Sequence, residues 1–314
     1  MNREQRRGIS YTVLASFFLG WAPILGKLAL RSGVTPFTLV AFRTLLAALS
    51  LWLVFLLFWR RDIFGCLGPD GARRPGFSWN GLIGCISVGA VNGFGSLLYY
   101  TSLSRLDASR ASLLNTLYPL WVVLFLFAAG QPLTRLTLAR LALSMLGLYL
   151  LTRVGPAEPD WLGVALMLAS AATYGWHLVL GQWVLADVPS RTATLYVLTT
   201  MACVVGLARV LQGRPVEPLS AAAWLPILAL ALTTTLSRLA MFTALQRVGG
   251  VETSLVGLLE LLVSLVLAFL LLGERLTLVQ WAGAGLLVVS LTLIARDPGV
   301  RLAQGNLPLE WRRP

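Results

Sequence analysis

The sequence predicts an all-α polytopic membrane protein of ten transmembrane helices, arranged as two inverted five-helix repeats. Three observations predict it. Of 314 residues, 57% are hydrophobic and only 12% are charged, too few polar groups to cover a water-soluble globule. Apolar runs of about 20 residues, the length that crosses a hydrocarbon core of roughly 30 Å, recur from near the first residue to near the last. Two short patterns also occur twice, in the same order.

The first run, 9–30, follows Arg3, Arg6 and Arg7. It lacks a small-residue cleavage site and exceeds a leader's apolar core, so it reads as a helix. Four more helices are expected at 36–59, 79–103, 108–129 and 136–152. The turn-rich stretch Val154-Gly-Pro-Ala-Glu-Pro-Asp160 then divides the chain, because Gly and Pro interrupt regular structure. Beyond it, five helices are expected at 161–185, 191–211, 222–245, 251–272 and 277–295. The division gives a first five-helix unit over 1–153, a second over 161–296 and a tail over 297–314.

Gly20-Trp-Ala-Pro-Ile-Leu-Gly-Lys27 in the first helix matches Gly175-Trp-His-Leu-Val-Leu-Gly-Gln182 in the sixth. Gly130-Gln-Pro-Leu-Thr134 after the fourth matches Gly273-Glu-Arg-Leu-Thr277 after the ninth. A duplicated unit with an odd number of spans must enter the bilayer from the opposite side, which is the inverted repeat of alternating-access carriers. Basic residues outside the spans concentrate on the side of the N-terminus, so both termini are expected in the cytoplasm and the protein in the cytoplasmic membrane.

The net charge of +12 would suit nucleic acid in a soluble protein. Here the arginines lie in short loops between apolar runs, where they orient helices, and no nucleic-acid partner is expected. Cys66 falls in a loop and Cys85 and Cys203 within apolar runs, with no disulfide or zinc spacing. One histidine and no convincing set of nucleophile, base and orienter argue against an enzyme. The absence of G-x-x-x-x-G-K-[ST] argues against a pump driven by nucleoside triphosphate.

Gly20-Trp21 through Lys27, then Thr35-Pro-Phe-Thr-Leu-Val-Ala-Phe-Arg43, and Gly273-Glu274-Arg275-Leu276-Thr277 with Gln280, Gly283 and Gly285, together resemble the ten-helix EamA-like branch of the drug/metabolite transporter superfamily. The resemblance covers nearly the whole chain. Gln131 stands where that family usually has Glu, and Leu261 where it often has Pro. The resemblance implies a secondary transporter that exports or exchanges a small organic metabolite such as an amino acid, working in the lipid bilayer by alternating access without a cofactor. A channel or receptor is the alternative from another class, and a membrane-embedded enzyme a more distant one. The oligomeric state is left open.

Ionisable groups within the hydrocarbon region are costly and are functional candidates by default. Glu260 lies about nine residues into its helix, roughly 13 Å deep at 1.5 Å per residue. It shares a face with Thr253, Gly257 and Ser264, so it suits either a substrate cation, a coupling proton or a structural lock between helices. Lys27, on the stripe Ser16, Gly20, Pro23, suits a substrate carboxylate or an anchor that snorkels to the headgroups. His177 shares a face with Ser170, Tyr174 and Gly181 and suits a substrate, a proton or packing. Arg238, with Thr234 and Met241, and Arg43 on the second helix suit an acid or a substrate carboxylate, and for Arg43 structural anchoring is the preferred reading. Asn92 and Tyr99 share a face, as do Asn115 and Tyr118, and offer hydrogen bonds to a polar solute or to neighbouring helices. Trp21 and Trp176 are the tryptophans expected near a cavity, whereas Trp52, Trp59, Trp79, Trp161, Trp224 and Trp281 lie toward span ends, as in an interfacial belt. The predicted cavity is lined by helices one, three, four, six, eight and nine.

The expected orientation has a direct check. A C-terminal alkaline-phosphatase fusion should be inactive and a C-terminal fluorescent fusion bright, and the reverse pattern would require an odd number of spans.

Overall fold

The computed structural model describes residues 3–67, 73–75, 79–128, isolated positions between 135 and 150, 160–213, 215, 217–256 and 258–292. The helices are α1 (Arg3–Gly20), α2 (Ala22–Arg31), α3 (Pro36–Phe58), α4 (Trp79–Arg105), α5 (Ala108–Asn115), α6 (Tyr118–Ala128), α7 (Trp161–Asp187), α8 (Ser190–Leu211), α9 (Ala221–Val256), α10 (Leu258–Leu267) and α11 (Leu278–Thr292), with a π-helical turn over Ala268–Leu272. The described positions between Arg135 and Leu150 are also helical. Six stretches are long and apolar enough to cross a bilayer: Arg7–Arg31, Pro36–Phe58, Trp79–Arg105, Trp161–Gly181, Ser190–Leu211 and Ala221–Arg247. The apolar helix over Leu259–Leu272 is shorter. The chain is therefore a multi-pass helical membrane protein, with six of the ten expected spans meeting this measure among the described residues.

The all-α expectation needs one amendment. Between α3 and α4 lies a small antiparallel hairpin of β1 (Gly65–Leu67) and β2 (Arg73–Pro75), with Cys66 opposite Arg74. Two expected helices are also each in two pieces. The first breaks at Trp21, between α1 and α2, and the fourth at Thr116–Leu117, between α5 and α6. Each break sits just before a proline, Pro23 or Pro119. Proline has no N–H, so the carbonyls four residues earlier, on Leu19 and Asn115, lose their usual helical donor. Conversely, the loop expected at 246–250 is helical, as α9 runs unbroken from Ala221 to Val256. Gly249 and Gly250 there weaken a helix by only about 1 kcal/mol each and do not remove a donor, so they need not end it.

The core is built by α4 packing on α7 and α8, α3 on α8 and α9, and α1 on α9 and α10. Leu49 and Leu53 on α3, and Leu225, Leu228 and Leu232 on α9, remain exposed. Leucines at helical spacing that face outward are what a lipid-facing surface requires.

At one end of the bundle the connecting segments grip one another. Glu274 Oε1 accepts from the N–H of Ala108 at 2.9 Å, and Oε2 accepts from the N–H and Oγ of Ser109 at 2.8 and 2.7 Å. A carboxylate thus caps the first turn of α5, where orphan donors and the helix dipole favour negative charge. Lys27 Nζ donates to the carbonyls of Leu103 and Leu106 at 3.0 and 2.6 Å, closing the C-terminal end of α4 in the complementary way. Gly273 makes this possible. Its φ of 68° ends the π-turn in the left-handed region that glycine enters without steric cost, and it aims Glu274 back at α5. Thr277 and Gln280 then form a capping box at the start of α11. At the same end Arg105 pairs with Asp160 at 3.0 Å. The Gly163 N–H and Arg105 hold the Asp160 carboxyl below its usual value. At the other end Arg191 pairs with Asp62 at 3.3 Å and lies over the Trp59 ring.

One close crossing is between α1 and α10. A Cβ added to Gly20 would lie 2.6 Å from Val263 Cβ and 3.0 Å from the Glu260 carbonyl, and Ser264 Oγ donates to the Gly20 carbonyl at 3.0 Å. Gly20→Ala should therefore cost about 1–3 kcal/mol through overpacking, read as a lower thermal unfolding temperature in detergent. Adding Val263→Ala should recover much of the loss; additive losses would show that this contact does not set the crossing.

Candidate functional site

A cavity of about 70 Å³ lies among α3, α4, α7, α9, α10 and the two helix breaks. Helical periodicity supplies most of its wall. Asn92, Ser96 and Tyr99 stand at i, i+4 and i+7 on α4, and Ser170 and Tyr174 at i and i+4 on α7. Leu19 and Ala22 flank the α1–α2 break, and Asn115 ends α5 at the other break. The unwound backbone therefore occurs where it borders a polar cavity, as the bilayer permits.

Of the residues singled out in the sequence, Asn92, Tyr99, Asn115, Tyr174, Arg238 and Glu260 come together on this wall. Five do not reach it. Lys27 sits at the end of α2 against α4. Trp21 packs on the apolar core from the α1–α2 break. Trp176 is partly exposed and packs on Phe125. Tyr118 is buried edge-on against Tyr174, with ring centroids 4.9 Å apart. His177 lies behind the wall, fully buried.

Arg43, read in the sequence as a structural anchor or a partner for an acid or carboxylate, is 6% exposed and lines the cavity. Its Nη1 donates to Tyr100 Oη at 3.3 Å and to Thr234 Oγ1 at 3.4 Å, and its guanidinium lies 4.7 Å from the Tyr100 ring centroid. Tyr100 and Thr173 line the cavity unanticipated, and Ser170, which the sequence placed on one face with Tyr174, lines it as well. Arg43 had a sequence signal, a charge eight residues into an apolar helix, which is costly at that depth. Tyr100 had none that set it apart from its neighbour Tyr99.

Arg238 is likewise 6% exposed and is held by neutral groups. Nη2 donates to Asn92 Oδ1 at 3.1 Å, and Nη1 faces His177 Nε2 at 3.4 Å and Met241 Sδ at 3.6 Å. His177 Nδ1 faces the Val88 carbonyl at 3.4 Å. One ring nitrogen meets an acceptor and the other a donor, which assigns the neutral imidazole with its proton on Nδ1. Tyr174 stacks on that ring and lies under the Arg238 guanidinium. Glu260 is partly buried and, among the described residues, makes no side-chain hydrogen bond or ion pair within contact distance. Arg238 is the nearest countercharge acting on it. The wall thus presents a carboxylate, two guanidiniums, amides and hydroxyls to the cavity.

The model of the EamA-like transporter family matches residues 6–153 and again 161–296. The chain is 24% identical over 295 residues to "Uncharacterized transporter YcbK" of Bacillus subtilis (strain 168), covering 90% of this chain and 91% of that protein. A crystal structure with 19% identity and a TM-score of 0.59 covers 94% of this chain and 98% of its own, and shares the fold.

The hydrogen bonding around His177 makes a prediction. His177→Gln retains an acceptor for Arg238 and should leave thermal unfolding nearly unchanged. His177→Leu should cost about 1–3 kcal/mol, because it strips a partner from a buried charge. Equal losses in the two variants would rule out the acceptor role.

Proposed function

The chain belongs to the EamA-like transporter family, and from that premise we propose that it is a secondary transporter exporting or exchanging a small organic metabolite, such as an amino acid, across the cytoplasmic membrane by alternating access. The family membership and the transporter-named relative carry the coarse statement that this is a membrane transporter. The finer reading rests on one observation. The polar cavity draws its wall from both matched segments, with Arg43, Asn92, Tyr99 and Asn115 from the first and Tyr174, Arg238 and Glu260 from the second. A site at the interface of two repeats is where rocking of one against the other exposes a solute to each side in turn. The Glu274 and Lys27 contacts at one end support a state closed on that side, with both termini on the other.

In this scheme Glu260 meets a cationic group of the substrate or exchanges a proton during the cycle. Among the described residues no side chain bonds its carboxylate at contact distance, which leaves it available for either. Right-side-out proteoliposomes loaded with candidate solutes test the scheme. Trans-stimulated counterflow is expected, whereas flux without trans-stimulation would favour a channel. Glu260→Gln keeps shape and removes charge and titration, so counterflow should fall at least about tenfold, the effect of roughly 1.4 kcal/mol. A folded Glu260→Gln protein with unchanged rate and unchanged pH profile would make Glu260 structural.

A further inference from the structure

The two cavity arginines have more donors than the protein satisfies. Arg43 Nε and Nη2 and Arg238 Nε are buried without a hydrogen-bond partner among the described residues. In Arg43 these two nitrogens form one edge of the guanidinium, and its other nitrogen, Nη1, serves Tyr100 and Thr234. That free edge is the planar fork that grips a carboxylate with two parallel hydrogen bonds. Thr234 lies one helical turn before Arg238 on α9. Arg43 from α3 therefore approaches the same stretch of α9 that carries Arg238, and both guanidiniums converge on one wall.

The charges on that wall do not balance. Two guanidiniums face one carboxylate, Glu260, and His177 behind Arg238 is neutral by its hydrogen bonds. An uncompensated cation removed from water is costly, so a site built this way waits for an anion. The cavity itself, at about 70 Å³, has room for several waters and is well below the roughly 300 Å³ at which pockets for drug-sized ligands begin. A solute matched to this space is compact.

We infer that Arg43 and Arg238 form a carboxylate subsite and that, with Glu260 opposite, the cavity selects a compact solute bearing two carboxylates and one ammonium, of net charge −1. Each carboxylate meets one guanidinium, and the ammonium meets Glu260. This rests on the transporter reading only in taking the cavity as the solute site.

Binding to the purified full-length protein in detergent tests it, by isothermal titration calorimetry with L-glutamate, its amide isostere L-glutamine and the amine-free glutarate. Glutamate should bind at least about tenfold more tightly than glutamine and than glutarate. Arg43→Gln or Arg238→Gln should collapse the glutamate-to-glutamine ratio toward one. Arg43→Lys and Arg238→Lys, which keep charge and lose the fork, should retain part of it. Glu260→Gln should bring glutarate level with glutamate. The wild-type ratios stand whether or not a variant folds. Glutamine binding as tightly as glutamate, no saturable glutamate binding, or a ratio untouched in folded arginine variants would each overturn the subsite. Glutamate binding with this preference but without counterflow would leave the subsite and remove the transporter scheme. Counterflow of neutral solutes without acidic preference would do the opposite.

Discussion

The constraint on which everything else depends is the absence of water inside the bilayer. A backbone N–H or carbonyl that leaves its helix there must find a partner in the chain or border a polar space. The long helices of this protein satisfy the first condition, and its two internal breaks satisfy the second. Pro23 and Pro119 interrupt helices whose freed turns carry Leu19, Ala22 and Asn115 to the cavity edge. Irregular backbone and polar cavity are thus two expressions of the same requirement.

The same constraint explains how the buried charges are held. Asn92 and His177 cost little to bury because they are hydrogen-bonded, and they fix the Arg238 guanidinium without neutralising it. Tyr100 does this for Arg43 through both its hydroxyl and its ring. Neutral support positions a charge while keeping its field available, which a protein carboxylate at contact distance would not. The end contacts use the opposite logic. There, Glu274 and Lys27 are spent on helix termini, where partial charges of the backbone complement them.

Much of this was legible in the sequence because it is periodic. Apolar runs marked the spans, and the stripes through Asn92 and Tyr99, and through Thr234 and Arg238, identified the faces that meet. What periodicity cannot encode is which neighbour a face meets and how deeply. His177 shares a face with Tyr174 yet sits behind the wall, because the ring of Tyr174 stacks between them. Arg43 carried a charge signal that did not say which helix it would meet, and α3 packs it against α9, where it reaches Thr234. Lys27 found its partners in carbonyls, which carry no sequence signal at all. The prolines at 23 and 119 were visible, but a proline marks a lost donor without saying whether the helix bends or parts. At 246–250 the error ran the other way, since a glycine pair permits a turn without demanding one.

The crossing of α1 and α10 carries a consequence for how the molecule is made. The hydrogen bond from Ser264 to Gly20 spans 244 residues, and the cap from Glu274 to Ala108 spans 166. A ribosome releases the chain in order, so the earliest helix enters the bilayer without the surface it will rest on and waits until nearly all the others have been synthesised. During that interval its glycine face has only lipid or transient neighbours, and the cavity does not yet exist. The cavity is complete only once Glu260 has been added, long after Asn92 and Asn115 have entered the bilayer.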